Sequence, residues 1–591
     1  EYESYLKKLG HEVRRDHWGW GDPLNLDRSK ALSDWGDIIF SEWGLANAVW
    51  YSENISEDKR HIIRIHLQEI NQRARKFPPQ INLQYVSKIV FIAEHVRNTA
   101  IEMFDWPIEK TMTISNFVDV DKFIVVGGGT SGLISALILN TKFPKKKVQL
   151  IQSSNVGIVG VGESSTEHIS DFCVFVGIDL LDLVKKTNAT FKLGVYFDGW
   201  SDKDYLHGVS PTHSQILGCY YSYYHLYAHL ISNNLDTFPT WWSKQKDKLP
   251  KTKESPTRQF QFDTFALNEY LLGLCRERNI DLVWDDIVSV KNEHEIIGKS
   301  ASYTADFFID CSGFKRILSK DVPWKSYSDY FPVNSAIAFP TDEMDEYNLY
   351  TKATARNSGW SWTIPTQTRT GNGYVFSDKF ISVDQAHQEM EDVYGHEIKE
   401  FKSFKFDPGR LETAWNNNCL AVGLSQSFVE PLEATSIGNT IQEMFCFVHY
   451  LPSYDADTCN SKINDMFDNI VDFVQSHYLI QREDTPFWKS VKYDLKLTDN
   501  LQSYLKMWKN RLPQPEDFYC SWGLFEPVNY IPVLYGLGWF DIDKIRDEYL
   551  EHGLTDKVDM FFNQDRLFND KFIWMGHKEI INSYGINRSA T

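Results

Sequence analysis

Three glycines in the run DKFIVVGGGTSGLISALIL, residues 121–139, have the spacing of a dinucleotide-binding turn. Gly127, Gly129 and Gly132 give the pattern G-x-G-x-x-G between a short apolar strand and an amphipathic helix. In that setting the first glycine makes the turn, the second lets the backbone approach a pyrophosphate, and the third packs the helix on the strand. The segment therefore predicts a dinucleotide site.

A second apolar strand, KKVQLIQS, follows at the right distance and ends at Gln152 and Ser153. An acid usually stands at this strand end and binds a ribose hydroxyl. A glutamine amide can form the same hydrogen bond without the charge, so Gln152 is the expected ribose contact. Two later apolar runs, ADFFIDCSG and NCLAVGLSQSF, have the form of strands whose ends approach the same cofactor.

The stretch SGWSWTIP, residues 358–365, places two tryptophans two positions apart. In an extended segment Trp360 and Trp362 point to the same face, and Pro365 ends the pairing. By itself this pattern predicts only an aromatic strand.

The elements that must position these residues fall into three predicted parts: 1–118, a helical N-terminal extension; 119–450, the dinucleotide-binding part with inserted substrate-side segments; and 451–591, a mostly helical C-terminal part. Three stretches before residue 118 have helix-like spacing. In HIIRIHLQEI the spacing puts Ile62, Ile65 and Leu67 near one helix face. His61 and His66, five residues apart, are not expected to bind a metal.

Composition excludes several classes of partner. The formal charge of −19 argues against binding to nucleic acid or to an anionic membrane. No apolar run is long enough to span a bilayer and no signal stretch opens the sequence, so a cytoplasmic location is expected. The eight cysteines have no C-x-x-C spacing, which predicts neither a disulfide framework nor a metal site.

Several motifs in one order resemble the flavin-dependent halogenases of the tryptophan-halogenase type. The resemblance covers about residues 121–540 and lies in VVGGGTSG, GVGESS, NATFKLGV, FIDCSG, SGWSWTIP, GYVFS, VGLSQSFVEPLEATS and DFVQSHYLIQREDTPFW. It implies an α/β protein with an FAD-binding Rossmann-like domain of the glutathione-reductase or hydroxylase type. A mostly helical substrate-binding part and the extra N-terminal segment would accompany that domain.

The resemblance also implies a reaction. Reduced flavin, FADH2, reacts with O2 to give a flavin hydroperoxide, and a halide (chloride, bromide or iodide) takes the distal oxygen to form hypohalous acid. This oxidant passes through a tunnel to a lysine and then halogenates a small, electron-rich aromatic substrate, indole- or phenol-like. No second dinucleotide motif is evident, so a separate NAD(P)H-dependent flavin reductase is the expected electron source.

The resemblance assigns catalysis to Lys192 in TFKLG and to Glu433 in EPLEATS. A lysine that pointed inward here would be desolvated and its pKa lowered, which would make the amine a better nucleophile. Strand alternation alone slightly favours the alternative, a lysine on a solvent face. Glu433 would orient the oxidant or accept the proton lost from the ring. Glu430, three residues earlier, is the better candidate for a surface acid.

The resemblance further implies a cofactor site and a halide site. The expected FAD-binding residues are Gly127, Gly129, Thr130, Gly132, Gln152, Gly162, Glu163 and Gly423. Backbone N–H groups of Thr435 and Ser436 would bind the halide at a helix start. Where the family has Ser-Thr-Gly, this chain has Ala434-Thr435-Ser436; the departure leaves the halide preference open.

Three residues correspond to the family's substrate contacts: His207 beside the ring, and Phe525 and Asn529 in the C-terminal aromatic region. Cys520 stands nearest to the place of the glutamate that anchors the amino group of free tryptophan, which disfavours free tryptophan as the substrate. With the other motifs present, W-x-W-x-I-P becomes a halogenase signature. Trp360 and Trp362 are expected to pack near the passage from flavin to lysine and to have no catalytic task.

Two other functions remain open at this point. A flavin-dependent aromatic hydroxylase shares the fingerprint but needs neither Lys192 nor the paired tryptophans. A flavin-binding protein without turnover would use its N-terminal segment and acidic surface to contact a partner. That segment could also support a homo-oligomer.

Overall fold

The computed structural model describes residues 6–7, 10–19, 22–70, 74–91, 94–113, 120–157, 163–208, 215–216, 219–220, 247–551, 570 and 572–585. The chain forms two compact units. One comprises Glu1–Asp119 and Leu451–Asp455, and the other comprises Val120–Tyr450 and Ala456–Thr591. The division of the second unit at residue 450 stays a prediction. No described helix has both the length and the apolar character that crossing a membrane requires.

The N-terminal unit alternates helices with strands. Four strands among its described residues form one parallel sheet in the order β1-β2-β3-β4. Sequential order with parallel pairing requires a crossover after each strand, and helices occur in those connections. In chain order the elements are α1 (Leu26–Trp35), β1 (Ile38–Ser41), α2 (Ala46–Asn54), β2 (Arg60–Ile65), α3 (Leu67–Ile70), β3 (Val86–Phe91), α4 (Glu94–Phe104) and β4 (Thr111–Thr113).

This sheet corrects the prediction of a wholly helical extension. The residues HIIRI lie in β2, where His61, Ile63 and Ile65 are buried and the residues between them are partly exposed. Ile63 and Ile65 continue a period of two from His61, whereas Ile62 and Ile65 also fit a helical stripe, and isoleucine packs well on a pleated surface. His61 contacts Ser41 Oγ at 2.9 Å across the sheet, and burial lowers its pKa to about 4.

The second unit contains the remaining strands and helices. Its strands are β5 (Lys122–Val126), β6 (Lys147–Gln152), β7 (Glu163–Ser164), β8 (Thr190–Lys192), β9 (Gly194–Asp198), β10 (Tyr205–Gly208), β11 (Gln215–Ile216), β12 (Cys219–Tyr220), β13 (Lys248–Pro250), β14 (Gln259–Phe262), β15 (Asp281–Trp284), β16 (Ile287–Asn292), β17 (Glu295–Gly298), β18 (Ser302–Thr304), β19 (Phe307–Asp310), β20 (Trp324–Ser326), β21 (Ser335–Thr341), β22 (Thr351–Arg356), β23 (Gly359–Pro365), β24 (Thr370–Phe376), β25 (Lys402–Lys405), β26 (Gly409–Leu411), β27 (Trp415–Asn416), β28 (Cys419–Ala421), β29 (Ser427–Phe428) and β30 (Trp574–Gly576). Its helices are α5 (Thr130–Lys142), α6 (His168–Val176), α7 (Leu180–Lys186), α8 (Thr264–Glu277), α9 (Val383–Tyr394), α10 (Thr435–Tyr450), α11 (Ala456–Ser476), α12 (Pro486–Asp494), α13 (Asp499–Met507), α14 (Tyr530–Gly536), α15 (Ile542–Glu551) and α16 (His577–Ser583).

A six-stranded sheet in the order β15-β6-β5-β19-β28-β27 forms the dinucleotide-binding core. Every pairing in it is parallel except that of the edge strand β27. The glycine turn follows β5, next to the ends of β6 and β19. A ligand crevice is expected at the carboxyl ends of such strands, so this edge of the sheet is where a dinucleotide would bind. The α/β Rossmann-like prediction is confirmed for this unit.

A seven-stranded sheet in the order β10-β9-β22-β23-β24-β21-β25 contains the tryptophan motif. The motif lies in β23, paired on both sides, and the strand ends at Pro365 as predicted. Trp360 and Trp362 are both buried, with ring centroids 6.1 Å apart. The Trp362 ring fits because its neighbour in β24 is Gly373, where an added Cβ would lie 2.1 Å from Trp362 Cη2.

Candidate active site

The turn after β5 excludes side chains at two of its glycines. Gly127 has φ +121°, and a Cβ there would lie 2.2 Å from the Cys311 carbonyl oxygen. A Cβ on Gly132 would lie 1.8 Å from the carbonyl oxygen of Gly127. The first and third glycines are thus required by the turn and by helix packing, as the fingerprint predicts.

The second glycine leaves room for a ligand. Among the described residues, no heavy atom lies within 4 Å of the place where a Cβ on Gly129 would be. Gly129 precedes α5 and provides no side-chain cap, so the first N–H groups of this helix remain available. Open space beside free helix N–H groups is what a pyrophosphate needs, so the turn fits the predicted FAD.

The other predicted FAD contacts gather near this turn, except that Gly162 lies outside the described residues. Thr130 Oγ1 donates to Glu163 Oε2 at 3.3 Å, and burial raises the pKa of Glu163 to about 7. The Gln152 side chain lies against Gly128. Gly423, with φ +62°, donates its N–H to Glu443 Oε2 at 2.7 Å. Glu443 was missed by the sequence reasoning, because its role depends on a contact with a distant turn.

Lys192 ends β8 and is 1% exposed, so it points inward. Its Nζ donates to the carbonyl oxygen of Ser165 at 2.9 Å. Burial lowers the pKa of the amine to about 8, although the negative charges of Glu433 and Glu167 act in the opposite direction. An amine with this pKa is unprotonated for a useful fraction of the time near neutrality. Its catalytic role stays a prediction.

Glu433 is buried between two histidines. His207 Nδ1 lies 2.9 Å from Glu433 Oε2, and His477 Nε2 lies 2.8 Å from Oε1. The second contact is short but lacks the alignment of a regular hydrogen bond. Burial by itself raises the pKa of this carboxyl, yet the two histidines outweigh it and hold the pKa below its ordinary value. The site therefore holds a buried carboxylate rather than a carboxylic acid.

The histidine contact continues into the predicted substrate region. A His207 ring that donates from Nδ1 to Glu433 has a lone pair on Nε2, which lies 3.3 Å from the Asn529 amide nitrogen. Phe525 packs near His207, with ring centroids 6.3 Å apart. Asn529 Oδ1 in turn accepts the N–H of Glu526 at 2.7 Å, which fixes the amide orientation.

One cavity is lined by several of these predicted residues. The cavity also has a residue that the sequence reasoning did not select, Glu167. The lining includes Lys192, Glu433, His207, Phe525, Asn529 and Glu167.

The predicted halide residues stand where α10 begins, separated from Glu433 by Ala434. Thr435 is buried and Ser436 is exposed. The residue with a left-handed backbone is Ala434, at φ +55°, whereas Ser436 lies within the helix. The backbone strain thus lies at Ala434, a position that glycine would occupy more easily, and not at Ser436, which stands in place of the family's glycine.

Two further residues qualify the sequence interpretation. Glu430 is not a surface acid: it is fully buried, and both its oxygens accept from the Tyr478 hydroxyl, at 2.7 and 2.8 Å. Burial raises the pKa of Glu430 to about 8, although the hydrogen bond from Tyr478 acts to lower it.

His477, missed by the sequence reasoning, follows α11 and also contacts the Tyr205 hydroxyl at 3.2 Å. Its presence in the motif DFVQSHYLIQ was the available signal.

The Rossmann-like fold and the buried lysine and carboxylate fit a flavin-dependent enzyme, and homologues and structural neighbours place it in the flavin-dependent halogenase class. The chain belongs to the tryptophan halogenase family, whose sequence model matches residues 122–545.

Individual relatives agree with this assignment. The chain is 29% identical over 486 residues to a tryptophan 6-halogenase of Streptomyces toxytricini, covering 71% of this chain and 89% of that protein. It is 28% identical over 480 residues to a tryptophan 7-halogenase of Lentzea aerocolonigenes, covering 71% of this chain and 90% of the relative. The crystal structure of the Streptomyces enzyme superposes with a TM-score of 0.70 at 26% identity, over 79% of this chain and 100% of the other. A tryptophan C-6 flavin-dependent halogenase from taromycin biosynthesis gives a TM-score of 0.70 at 27% identity, over 79% and 99% of the two chains.

Proposed function

We propose that the protein halogenates a small, electron-rich aromatic substrate, indole- or phenol-like, using FADH2, O2 and a halide. The observation that carries the proposal is the single cavity in which a buried amine, Lys192, and a buried carboxylate, Glu433, meet aromatic and amide groups. Reduced flavin bound at the glycine turn would supply, with O2 and halide, the hypohalous acid. A separate NAD(P)H-dependent flavin reductase would reduce the flavin.

Lys192 receives the oxidant in this proposal. Its unprotonated amine attacks the halogen of hypohalous acid, forming an N–halogen bond and releasing water; alternatively, its ammonium form holds the acid by hydrogen bonding. In either case the aromatic carbon then attacks the halogen, which is transferred as the equivalent of a halogen cation. The Ser165 carbonyl, 2.9 Å from Nζ, keeps the amine in place at the cavity wall.

Glu433 acts after carbon–halogen bond formation. The ring cation formed at that stage is strongly acidic, so a carboxylate with a lowered pKa is still basic enough to remove its proton. The two histidines that hold Glu433 ionised also fix its direction. Before the transfer, the negative charge stabilises the positive charge that develops on the ring.

A product assay tests the proposed function. The protein, FAD, NADH, an NADH-dependent flavin reductase and bromide or chloride are incubated in air with simple indoles and phenols, and products are read by mass spectrometry. We expect a mono- or dihalogenated product with the matching isotope pattern, dependent on all components. A product that is only hydroxylated would assign the chain to aromatic hydroxylation instead.

The position of Ser436 at the start of α10 leads to a prediction about halide choice. We expect Ser436→Gly to increase the chloride share of product in a chloride–bromide competition, because a smaller N-terminal residue lets the helix N–H groups approach the smaller anion. Ser436→Ala is the matched control, since it removes the hydroxyl but keeps the Cβ. An unchanged chloride-to-bromide ratio in both variants would contradict a role for Ser436 in halide selection.

A further inference from the structure

Glu167 brings a second carboxylate to the proposed halogenation cavity. It lies between β7 and α6 and lines the same cavity as Lys192 and Glu433. Gln259 Nε2 donates to its Oε2 at 2.8 Å, which orients the carboxylate. Among the described residues, none donates a hydrogen bond to its other oxygen, Oε1, so one oxygen of this oriented acid is left for a ligand.

Among the described residues no basic side chain forms a salt bridge with Glu167, although its charge acts on Lys192 at a distance. Lys192 is the one lysine or arginine among the described residues that line the cavity, and its Nζ is engaged by the Ser165 carbonyl. Arg258, next to Gln259 in the chain, is paired with Asp171. The second carboxylate of the cavity, Glu433, is already held by two histidines.

A cavity with this charge pattern discriminates between substrate side chains. A substrate carboxylate would be desolvated beside Glu167 and Glu433, whose two negative charges exceed the one positive charge of Lys192, and like charges brought together in this way are unfavourable. A substrate ammonium group would gain a charge-assisted hydrogen bond from the free oxygen of Glu167. The aromatic ring would meanwhile pack against Phe525.

We infer that Glu167 is a substrate-recognition residue that selects aromatic substrates carrying an ammonium group and no carboxylate, the chemistry of an arylethylamine. The inference rests on the proposed halogenation, because it assigns the substrate class of the same cavity.

Three indoles whose two-carbon 3-substituent ends in an ammonium, a carboxylate or a neutral hydroxyl group test this selection: tryptamine, indole-3-propionate and 3-(2-hydroxyethyl)indole. In pairwise competition we expect the parent to halogenate tryptamine in preference to indole-3-propionate. Glu167→Gln, which removes the charge but keeps the shape, should lower that product ratio by roughly tenfold or more, the equivalent of one close charge contact. Glu167→Asp, which keeps the charge, should retain part of the preference.

The outcomes separate this inference from the proposed function. An unchanged ratio in Glu167→Gln, or a parent that prefers the anion, overturns recognition by Glu167. A uniform loss with all three indoles also overturns it, because the carboxylate would then act through Lys192 rather than on the substrate. If no indole is halogenated and no hypohalous acid is trapped in solution, the proposed function fails. In that case, calorimetric binding of tryptamine and indole-3-propionate to the FAD-loaded parent and Glu167→Gln proteins still tests whether Glu167 recognises the ammonium group.

Discussion

Lys192→Met is expected to abolish halogenated product while reduced flavin is still reoxidised near the parental rate. Methionine fills most of the same space without an amine, so the cavity keeps its shape but loses the group that receives the oxidant. We expect a loss on the order of 10³-fold or more in product formation, the scale for removing an activated nucleophile. Product by mass spectrometry and flavin reoxidation by absorbance give the two readouts.

Folding must be separated from chemistry in this variant. Removing the amine leaves the Ser165 carbonyl without its donor, a cost of about 1–3 kcal/mol that burial of an uncharged group partly offsets. Thermal unfolding and FAD binding therefore accompany the assay. If flavin reoxidation and FAD binding fall together with product, Lys192 has a structural role and the proposed capture of the oxidant is wrong.

Lys192→Arg adds a finer distinction. Arginine remains charged and donates hydrogen bonds but does not attack halogen as an amine does. Measurable product from this variant would favour hydrogen bonding to hypohalous acid, whereas product lost to the level of Lys192→Met would favour the N–halogen bond. A solution trap for hypohalous acid should detect the oxidant in both variants.

The glycine turn could be predicted from sequence because its constraints are local. Gly127 and Gly132 are required by contacts of the turn with itself and with one adjacent strand, and the motif encodes those contacts. The orientation of Lys192 could not be read from alternation. All three residues of β8 are buried, so a period of two gives no information about the direction of the lysine.

The histidine contacts around Glu433 also could not be predicted from the sequence patterns. His207 lies on β10 and His477 follows α11, and only tertiary packing brings both to one carboxylate. The same limit explains Glu430, since spacing within EPLE does not say which acid is buried. In the N-terminal unit, a strand with a two-residue period was predicted as a helix, because closely spaced isoleucines fit a strand as well as a helix.

Glu430 and Glu433 are both buried acids, so Glu430 serves as an internal comparison for the loss of halogenation expected on substitution of Glu433. We expect Glu433→Gln to reduce halogenation by roughly 10²–10⁴-fold, because an amide can neither accept the ring proton nor balance the charge of the ring cation. The amide oxygen can still accept from His207, so the local geometry is preserved. Formation of hypohalous acid, measured by a solution trap, should continue because Lys192 and the flavin turn are untouched.

Glu430→Gln is the matched control for this experiment. Glu430 has a pKa raised to about 8, so it is mainly protonated at neutral pH and an amide reproduces its uncharged form. Tyr478 can still donate to the amide oxygen, so activity and thermal stability should remain close to those of the parent. Equal losses of halogenation in the two variants would show that any buried acid in this loop has the same effect, and Glu433 would lose its assigned role. A large loss in Glu433→Gln alone, with hypohalous acid still formed, assigns a role after oxidant formation, proton removal or stabilisation of the ring cation, to this one carboxylate.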